Sequence, residues 1–341
     1  MTPATATLDD TRRPAPAPAT DPTPAPAPVH IPVMLDEVVA ALQPALSQPG
    51  AVLLDATVGL GGHAQALLAA CPEARLIGID RDGQALAQAG ERLAPFGGRV
   101  TLVRARFDAL PEVLDDLGVA TVQAVLFDLG LSSLQIDQAS RGFAYSQDGP
   151  LDMRMDDRLE TSAADLVNQW PAADLARVIR DFGEEPHALR VAQAIVDARA
   201  VAPIVSTGQL AQIVTAAMPA AVRFGAGGHP AKRVFQALRI AVNGELEALA
   251  AALPAGMERL GLGGRLAVLS YHSLEDRLVK QVFQAAAADQ APPRLPVVPD
   301  SLQPRFRLVG HGAARPAPDE TARNPRAASA RLRVITRIKE A

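Results

Sequence analysis

The feature of this sequence that most restricts its fold is a set of four short apolar segments separated by helical patterns. These segments, AVLLDATVG, RLIGID, RVTLVRA and AVLFDLG, begin at residues 51, 75, 99 and 124. Runs of Val, Ile and Leu of this length are typical of strands that are buried on both faces of a sheet. Strands that alternate with helices predict a parallel sheet with right-handed crossovers, which is a doubly wound α/β fold.

A second part of the chain reads as helical. A fifth strand, GGRLAVLSYH, is predicted only from residue 263 onward, and FRLVG and RLRVITRI are predicted as two more near the end. Before them, residues 141–229 contain helical patterns and no convincing strand. We interpret this segment as a helical insertion after the fourth strand, above the carboxyl ends of the strands, where open α/β sheets bind ligands.

The first 28 residues differ from the rest, since they contain eight prolines and seven alanines. This composition predicts an extended or disordered tail. We therefore expect one domain from residues 29–140 and 230–341, which carries the sheet, and an inserted helical subdomain at 141–229, which recognises the substrate.

Composition excludes several classes of protein. No apolar run approaches the ~20 residues of a membrane helix, and the N-terminus has no signal-type apolar stretch. A single cysteine, Cys71, excludes an internal disulfide and a multi-cysteine zinc site. We expect a soluble cytoplasmic protein without a metal site.

The charge is unevenly distributed. Residues 291–341 carry ten Lys and Arg against four Asp and Glu, so the overall net charge of −4 leaves −10 for the preceding 290 residues. Proteins that bind nucleic acid through many phosphate contacts are usually basic overall. Any nucleic-acid contact is therefore expected to be local, or to be aided by a shaped partner.

A glycine-rich turn, Gly59-Leu-Gly61-Gly62-His63, connects the first strand to a helix. Glycines at such a turn permit positive φ and the close approach of a ligand to the backbone. A tight turn without a ligand is the alternative. His63 is either a residue that hydrogen bonds at the helix start or a ligand contact.

The end of the second strand favours a ligand. Asp80 stands there, where a carboxylate can accept hydrogen bonds from ribose hydroxyls. The glycines do not follow the G-x-G-x-x-G order that serves a pyrophosphate. S-adenosylmethionine has no phosphate, and the two features together favour this methyl donor over a dinucleotide.

The fourth strand ends in Asp128, followed by Leu-Gly-Leu-Ser-Ser. A carboxylate at this place lies beside the methyl donor in such a topology; the alternative is that it caps the next turn. The Gly-Leu-Ser-Ser segment is poor at building a helix, which favours a position of Asp128 beside the methyl donor over a turn cap. Methylation of a pyrimidine at carbon 5 requires a nucleophile, normally a thiolate, whereas an exocyclic amino group needs orientation and an acceptor such as Asp128. Cys71 lies at the far end of the first helix, which disfavours carbon 5.

Several longer motifs occur in one order: DATVGLGGH, IDRD, DLGLSS, RGFAYSQDGPLDMRMD, HPAKRVFQALRIAVNGEL, SYHSLEDR and NPRAASARLRV. With them the chain resembles the MraW family of ribosomal RNA small subunit methyltransferase H from about His30 to Arg337. The resemblance implies a Rossmann-like class I methyltransferase fold. It also implies methylation of cytosine N4 in the decoding region of bacterial 16S rRNA, with S-adenosylmethionine as the cofactor.

The resemblance also implies the site residues. Asp128 is the expected catalytic residue, and the expected cofactor contacts are Gly61, Gly62, His63, Asp80, Phe107, Asp128 and Gln135. Without the resemblance, Phe107 would be interpreted as a residue that packs in the core. The chain departs from the common family pattern at Leu134, where Pro is frequent, and at Tyr271, where Phe is common.

Three further motifs have two interpretations each. The polar stripe on one predicted helix is either a solvated face or an RNA contact; it comprises Lys232, Gln236, Arg239 and Asn243. Ser273 and Asp276 have the form of a helix cap, and the neighbouring His272 either faces the target base or makes a structural hydrogen bond. The loop with Asp152, Arg154 and Asp156 is either a mutually paired surface loop or a lid that holds the base.

Three rival functions remain open at this point. A methyltransferase acting on DNA or a small amine would carry an Asn/Asp-Pro-Pro-aromatic tetrapeptide after the fourth strand, where this chain has Asp-Leu-Gly-Leu. A non-catalytic ribosome-assembly factor would show a degraded turn or lack the ribose acid. A dehydrogenase is disfavoured by the order of the glycines.

Overall fold

The structure is a computed structural model that describes residues 32–223, 228–289, 299 and 302–340. The predicted Pro/Ala-rich tail of residues 1–28 lies outside these residues. In the described part of the chain, no helix is both long and apolar enough to cross a membrane.

Seven strands form one sheet, and all seven were predicted. They are β1 (Val52–Asp55), β2 (Arg75–Asp80), β3 (Val100–Arg104), β4 (Val122–Asp128), β5 (Leu260–Ser270), β6 (Phe306–Ala314) and β7 (Arg331–Arg337). Their order across the sheet is β3-β2-β1-β4-β5-β7-β6. The first five strands are parallel, as expected, whereas β7 runs antiparallel to both β5 and β6. A return of this kind needs no crossover helix on a sheet face.

Fourteen α-helices accompany the sheet. They are α1 (Leu35–Leu46), α2 (Gly62–Ala70), α3 (Gly83–Leu93), α4 (Leu110–Asp116), α5 (Ser133–Asp137), α6 (Ala163–Gln169), α7 (Ala172–Asp181), α8 (Ala188–Val201), α9 (Thr207–Ala217), α10 (Ala220–Arg223), α11 (Lys232–Asn243), α12 (Glu245–Glu258), α13 (Ser273–Ala286) and α14 (Pro318–Arg323). This count refers to the described residues only.

Helices cover both faces of the sheet. Successive strand residues point to opposite faces, so Leu53 packs with α1, α2 and α3 while Leu54 packs with α4, α12 and α13. Both leucines are fully buried. Burial on both faces explains why the central strands are apolar throughout, and it leaves their carboxyl ends as the place where polar side chains meet.

The helical segment has an apolar cluster of its own. Leu166, Ile179, Val191 and Leu210 contribute to it from α6, α7, α8 and α9, and Phe235 contributes from α11. The predicted helical character of this region is therefore confirmed. The cluster extends into α11, beyond residue 229, while the domain boundaries at 141 and 229 stay a prediction.

Candidate active site

The glycine-rich turn has the backbone that its sequence predicts. Gly59 and Gly61 adopt φ values of 53° and 77°, and Gly61 is the N-cap of α2. A Cβ atom on Gly62 would lie 2.4 Å from Cγ of Pro32. Side chains at these glycine positions would therefore be strained or would clash. Without them, a ligand can approach the backbone at the start of α2 closely.

Asp80 lies beside this turn. Its carboxylate accepts hydrogen bonds from the amides of Gly59 at 2.8 Å and of Asp82 at 2.9 Å, one on each oxygen. Burial raises the pKa of Asp80 to about 6, and the two amides oppose this shift. Since a carboxylate oxygen has two lone pairs, each oxygen retains one with which it can accept a hydroxyl.

Asp128 stands at the carboxyl end of β4 with its carboxylate held on both sides. Tyr271 Oη donates to Oδ1 at 2.7 Å, and Nδ1 of His63 lies 3.3 Å from Oδ2. The Asp128 amide donates to Thr57 Oγ1 at 2.6 Å. Both carboxylate partners are side chains from other elements, not a backbone amide of the following turn. The interpretation of Asp128 as a turn cap is therefore wrong.

His63 joins the turn to two other segments. It is buried, and its Nε2 lies 2.9 Å from the carbonyl oxygen of Val33. Burial disfavours its charged form, but the hydrogen bond and charge of Asp128 outweigh burial and raise the pKa of His63. A carbonyl only accepts, so Nε2 carries a hydrogen. At the start of α2, His63 thus makes interior hydrogen bonds and forms an ion pair with Asp128 when protonated.

Asp55, at the end of β1, is a further acid in this cluster. Its side chain is 1% exposed, and burial raises its pKa to about 7, with the charge of His63 opposing the shift. Its Oδ1 accepts from the amide of Thr57 at 3.2 Å. Asp55 begins the DATVGLGGH motif, but it was not predicted from the sequence as a site residue. Its position at the end of a strand, which it shares with Asp80 and Asp128, could have identified it.

Gln135 connects the loop after β4 to the loop after β2. Ser132 caps α5, and Gln135 completes a capping box with it, so the segment expected to be poor at building a helix starts one. The Gln135 amide nitrogen donates to Asp82 Oδ2 at 2.9 Å, and Arg141 forms an ion pair with the same carboxylate at 2.9 Å. Asp82 and Arg141 were missed because only the folded chain brings these loops together.

Phe107 follows β3 and is partly buried. Its ring contacts Phe127 edge to face, with centroids 5.8 Å apart. It packs against the apolar cluster on that side of the sheet, yet the residue is not fully buried. The packing agrees with a filler role, while the part that is not buried leaves a surface for a flat ligand ring.

Contacts thus group the predicted site residues at one edge of the sheet. Hydrogen bonds connect Asp80 to the glycine turn, and His63 connects that turn to Asp128. Phe107 lies next to this network, with its ring against Phe127, the residue that precedes Asp128. Tyr271 is an unpredicted member, since the sequence marked it only as a departure from the family pattern.

The polar stripe on α11 is mostly internal. Arg239 pairs with Glu245 through two bonds of 2.9 Å, and both side chains are largely buried. Asn243 accepts from the amide of Met155 and donates to the carbonyl of Met153, and Gln236 donates to the carbonyl of Phe182. Only Lys232 is fully exposed. Neither a solvated face nor an RNA contact describes the other three residues, which attach α11 to neighbouring segments.

The helix cap predicted at Ser273 is wrong, because α13 is capped by another residue. His272 is the N-cap, with its Nδ1 accepting from the Glu275 amide, and Glu275 completes the capping box. Asp276 instead pairs with Arg333 at 2.7 Å, and Ser273 Oγ donates to Glu184. The cap lies one residue earlier than predicted because His272 is extended while Ser273 is already helical. For His272, this supports the structural interpretation.

In the loop of residues 152–156, the charged side chains are paired. Asp152 and Arg154 form a two-bond pair at 2.8 Å, and Asp156 pairs with Arg158 at 2.7 Å and Arg104 at 3.1 Å. These contacts agree with the paired-loop interpretation and attach the loop to β3.

Comparisons with known proteins identify the family. A family model described as the MraW methylase family matches residues 27–338. Ribosomal RNA small subunit methyltransferase H of Streptomyces avermitilis is 56% identical over 311 residues, covering 91% of this chain and 98% of that protein. The protein of the same name from Thermobifida fusca is also 56% identical, covering 91% and 94%. A solved rRNA methylase from Streptococcus thermophilus has 13% identity and a TM-score of 0.40, covering 89% of this chain and 94% of that one.

Identity of this extent over nearly the full length of the relatives is decisive, and the strand-end acids and the glycine turn agree with it. The chain belongs to the MraW methylase family and is an S-adenosylmethionine-dependent methyltransferase.

Proposed function

We propose that this enzyme transfers a methyl group from S-adenosylmethionine to N4 of a cytosine in the decoding region of bacterial 16S rRNA. Its relatives are ribosomal RNA small subunit methyltransferases H, which supports the substrate class. The observation that carries the choice of an amino group is the Asp128 carboxylate, held at the mouth of the glycine turn between His63 and Tyr271.

The residues at the strand ends fit the cofactor. Bare backbone at Gly61 and Gly62 accommodates the amino-acid end beside His63. Asp80 has free lone pairs for ribose hydroxyls, the part of Phe107 that is not buried suits adenine, and Gln135 closes the site from the side of α5. When bound, S-adenosylmethionine supplies an electrophilic methyl group on sulfur.

Asp128 is the proposed catalytic residue. An amino hydrogen of cytosine N4 donates to its carboxylate, which orients the nitrogen toward the methyl group. Transfer would break the methyl–sulfur bond and leave S-adenosylhomocysteine; the positive charge would pass to N4, where the adjacent Asp128 anion would stabilise it. One N4 proton must then leave, and the carboxylate is the nearest acceptor. His63 and Tyr271 keep the two oxygens in place during these steps.

The position of the single cysteine supports methylation of the amino group of cytosine over methylation of carbon 5. Cys71 is the single thiol in the sequence. It is buried behind the C-terminus of α2, at the opposite end of that helix from the glycine turn, and burial raises its pKa. A thiol in that state is a poor nucleophile. Carbon 5 methylation would therefore lack its activating group.

The helical segment is the proposed recognition subdomain. It follows β4 and, through Arg141, contacts the loop that carries Asp82. We place its residues 141–229 against rRNA in the small subunit, and the reaction in the cytoplasm, where these subunits assemble.

The test is a strain that lacks this protein. Nucleoside mapping of its 16S rRNA should show the loss of one N4-methylated cytidine, which returns when the wild-type chain is supplied but not when Asp128→Asn is. An unchanged set of modified nucleotides in the deletion strain would refute the proposed function.

A further inference from the structure

Tyr271 follows β5 directly and contributes the one hydroxyl that reaches the Asp128 carboxylate among the described residues. Its Oη lies 2.7 Å from Oδ1 of Asp128. Its backbone amide donates to Oε2 of Glu275 at 2.7 Å, so the residue is fixed to the first turn of α13. The ring lies against Gly130, where a Cβ atom would come within 3.2 Å of it. Tyr271 is thus fixed by hydrogen bonds at its backbone amide and at its hydroxyl.

The direction of this hydrogen bond follows from its surroundings. Burial raises the pKa of Tyr271 well above its usual value, and the charges of Asp128, Glu275 and Glu320 act in the same direction. The phenol therefore keeps its proton at neutral pH. Since an ionised carboxylate only accepts, Tyr271 is the donor.

The other oxygen of Asp128 has a different partner. Nδ1 of His63 lies 3.3 Å from Oδ2, and the amide of Asp128 is held by Thr57. Two contacts on opposite oxygens prevent the carboxylate plane from rotating about its last torsion. Without the phenol, only the His63 contact would restrain it, and that contact is the longer of the two.

We propose that Tyr271 is a positioning residue for methyl transfer: its hydroxyl orients the Asp128 carboxylate toward the acceptor amino group. The proposal rests on the function proposed above. A charged partner strengthens the hydrogen bond that the phenol donates. Tyr271 acts through Asp128, and it touches neither substrate nor cofactor in this proposal.

The test is Tyr271→Phe, which removes one oxygen and keeps the ring that packs on Gly130. We expect kcat on small subunits to fall about tenfold, as for loss of one hydrogen bond to a charged group. KM for the subunit and Kd for S-adenosylmethionine should stay within about twofold.

The control is Ser47→Ala, which removes an exposed hydroxyl at the C-terminal end of α1, outside the site and the helical segment. It should leave kcat unchanged. A double-mutant cycle separates positioning from general packing. In an Asp128→Asn background, Tyr271→Phe should lower the single-turnover rate by less than twofold.

Two results would overturn the proposal. One is an unchanged kcat in Tyr271→Phe, and the other is a full tenfold loss that persists in the Asp128→Asn background. Neither depends on the proposed function, because the wild-type product is identified in the same assay. Wild-type enzyme that forms no N4-methylcytidine would refute the proposed function instead.

Discussion

Nδ1 of His63 lies 3.3 Å from Oδ2 of Asp128, so the first turn of α2 is connected directly to the carboxyl end of β4. The contact spans the two central strands of the sheet, β1 and β4, which are hydrogen bonded to each other. Because Nε2 of His63 directs its hydrogen to the carbonyl oxygen of Val33, protonation of the ring at Nδ1 completes an ion pair with Asp128. The cofactor turn and the acceptor acid therefore form one electrostatic unit, and Asp55 lies next to it.

Asp80→Asn should weaken S-adenosylmethionine binding. The substitution keeps the shape but removes the charge that accepts ribose hydroxyls, and hydrogen bonds to a charged group are worth about 2–3 kcal/mol. Calorimetry at pH 7.5 measures the loss. With a pKa of about 6, Asp80 is protonated as pH falls below that value, so wild-type affinity should fall through pH 6 while that of the variant stays flatter. Asp116→Asn, on the exposed end of α4, is the matched control. Equal affinities of wild type and Asp80→Asn would remove Asp80 from the cofactor site.

Asp55→Asn should stabilise the folded protein at alkaline pH. Burial raises the pKa of Asp55 from 3.8 to about 7, so between these values the folded state binds a proton that the unfolded chain has released. Its contribution to the free energy of unfolding therefore falls as pH rises through this range. We expect the variant to be about 1–3 kcal/mol more stable than wild type at pH 8 and equal to it near pH 4. Urea unfolding measures this. A difference that does not change with pH would contradict the assignment.

Assembled small subunits should be methylated at least tenfold faster than protein-free rRNA. Much of the basic charge is already engaged, since Arg331 and Arg333 pair with Asp276 and Arg326 pairs with Asp137. Arg239, in the polar stripe of α11, likewise pairs with Glu245. Few phosphate contacts mean weak non-specific binding, so a preformed single-stranded surface with an accessible base is the better substrate. The assay compares subunits with rRNA extracted from them, at one concentration and salt. Equal rates would refute this prediction.

Periodicity was sufficient to predict the seven strands and the helical segment, because burial on two faces leaves a continuous apolar run in each strand. It was insufficient for polar residues whose partners are distant in sequence. The stripe on α11 resembles a solvated face, since spacing cannot distinguish water from the Met153 and Met155 backbone. The antiparallel direction of β7 and the contact between Tyr271 and Asp128 likewise depend on how distant segments meet.

The most direct measurement is the identity of the nucleoside that the purified enzyme makes. Small subunits from a strain without the enzyme are incubated with S-adenosylmethionine, and the digested rRNA is analysed by mass spectrometry. Wild-type enzyme should produce N4-methylcytidine at one position. Asp128→Asn should be at least a hundredfold slower while it unfolds at a similar temperature, and the Asp116→Asn control should match wild type. Formation of 5-methylcytidine, or wild-type rates in Asp128→Asn, would contradict methylation of an amino group oriented by Asp128.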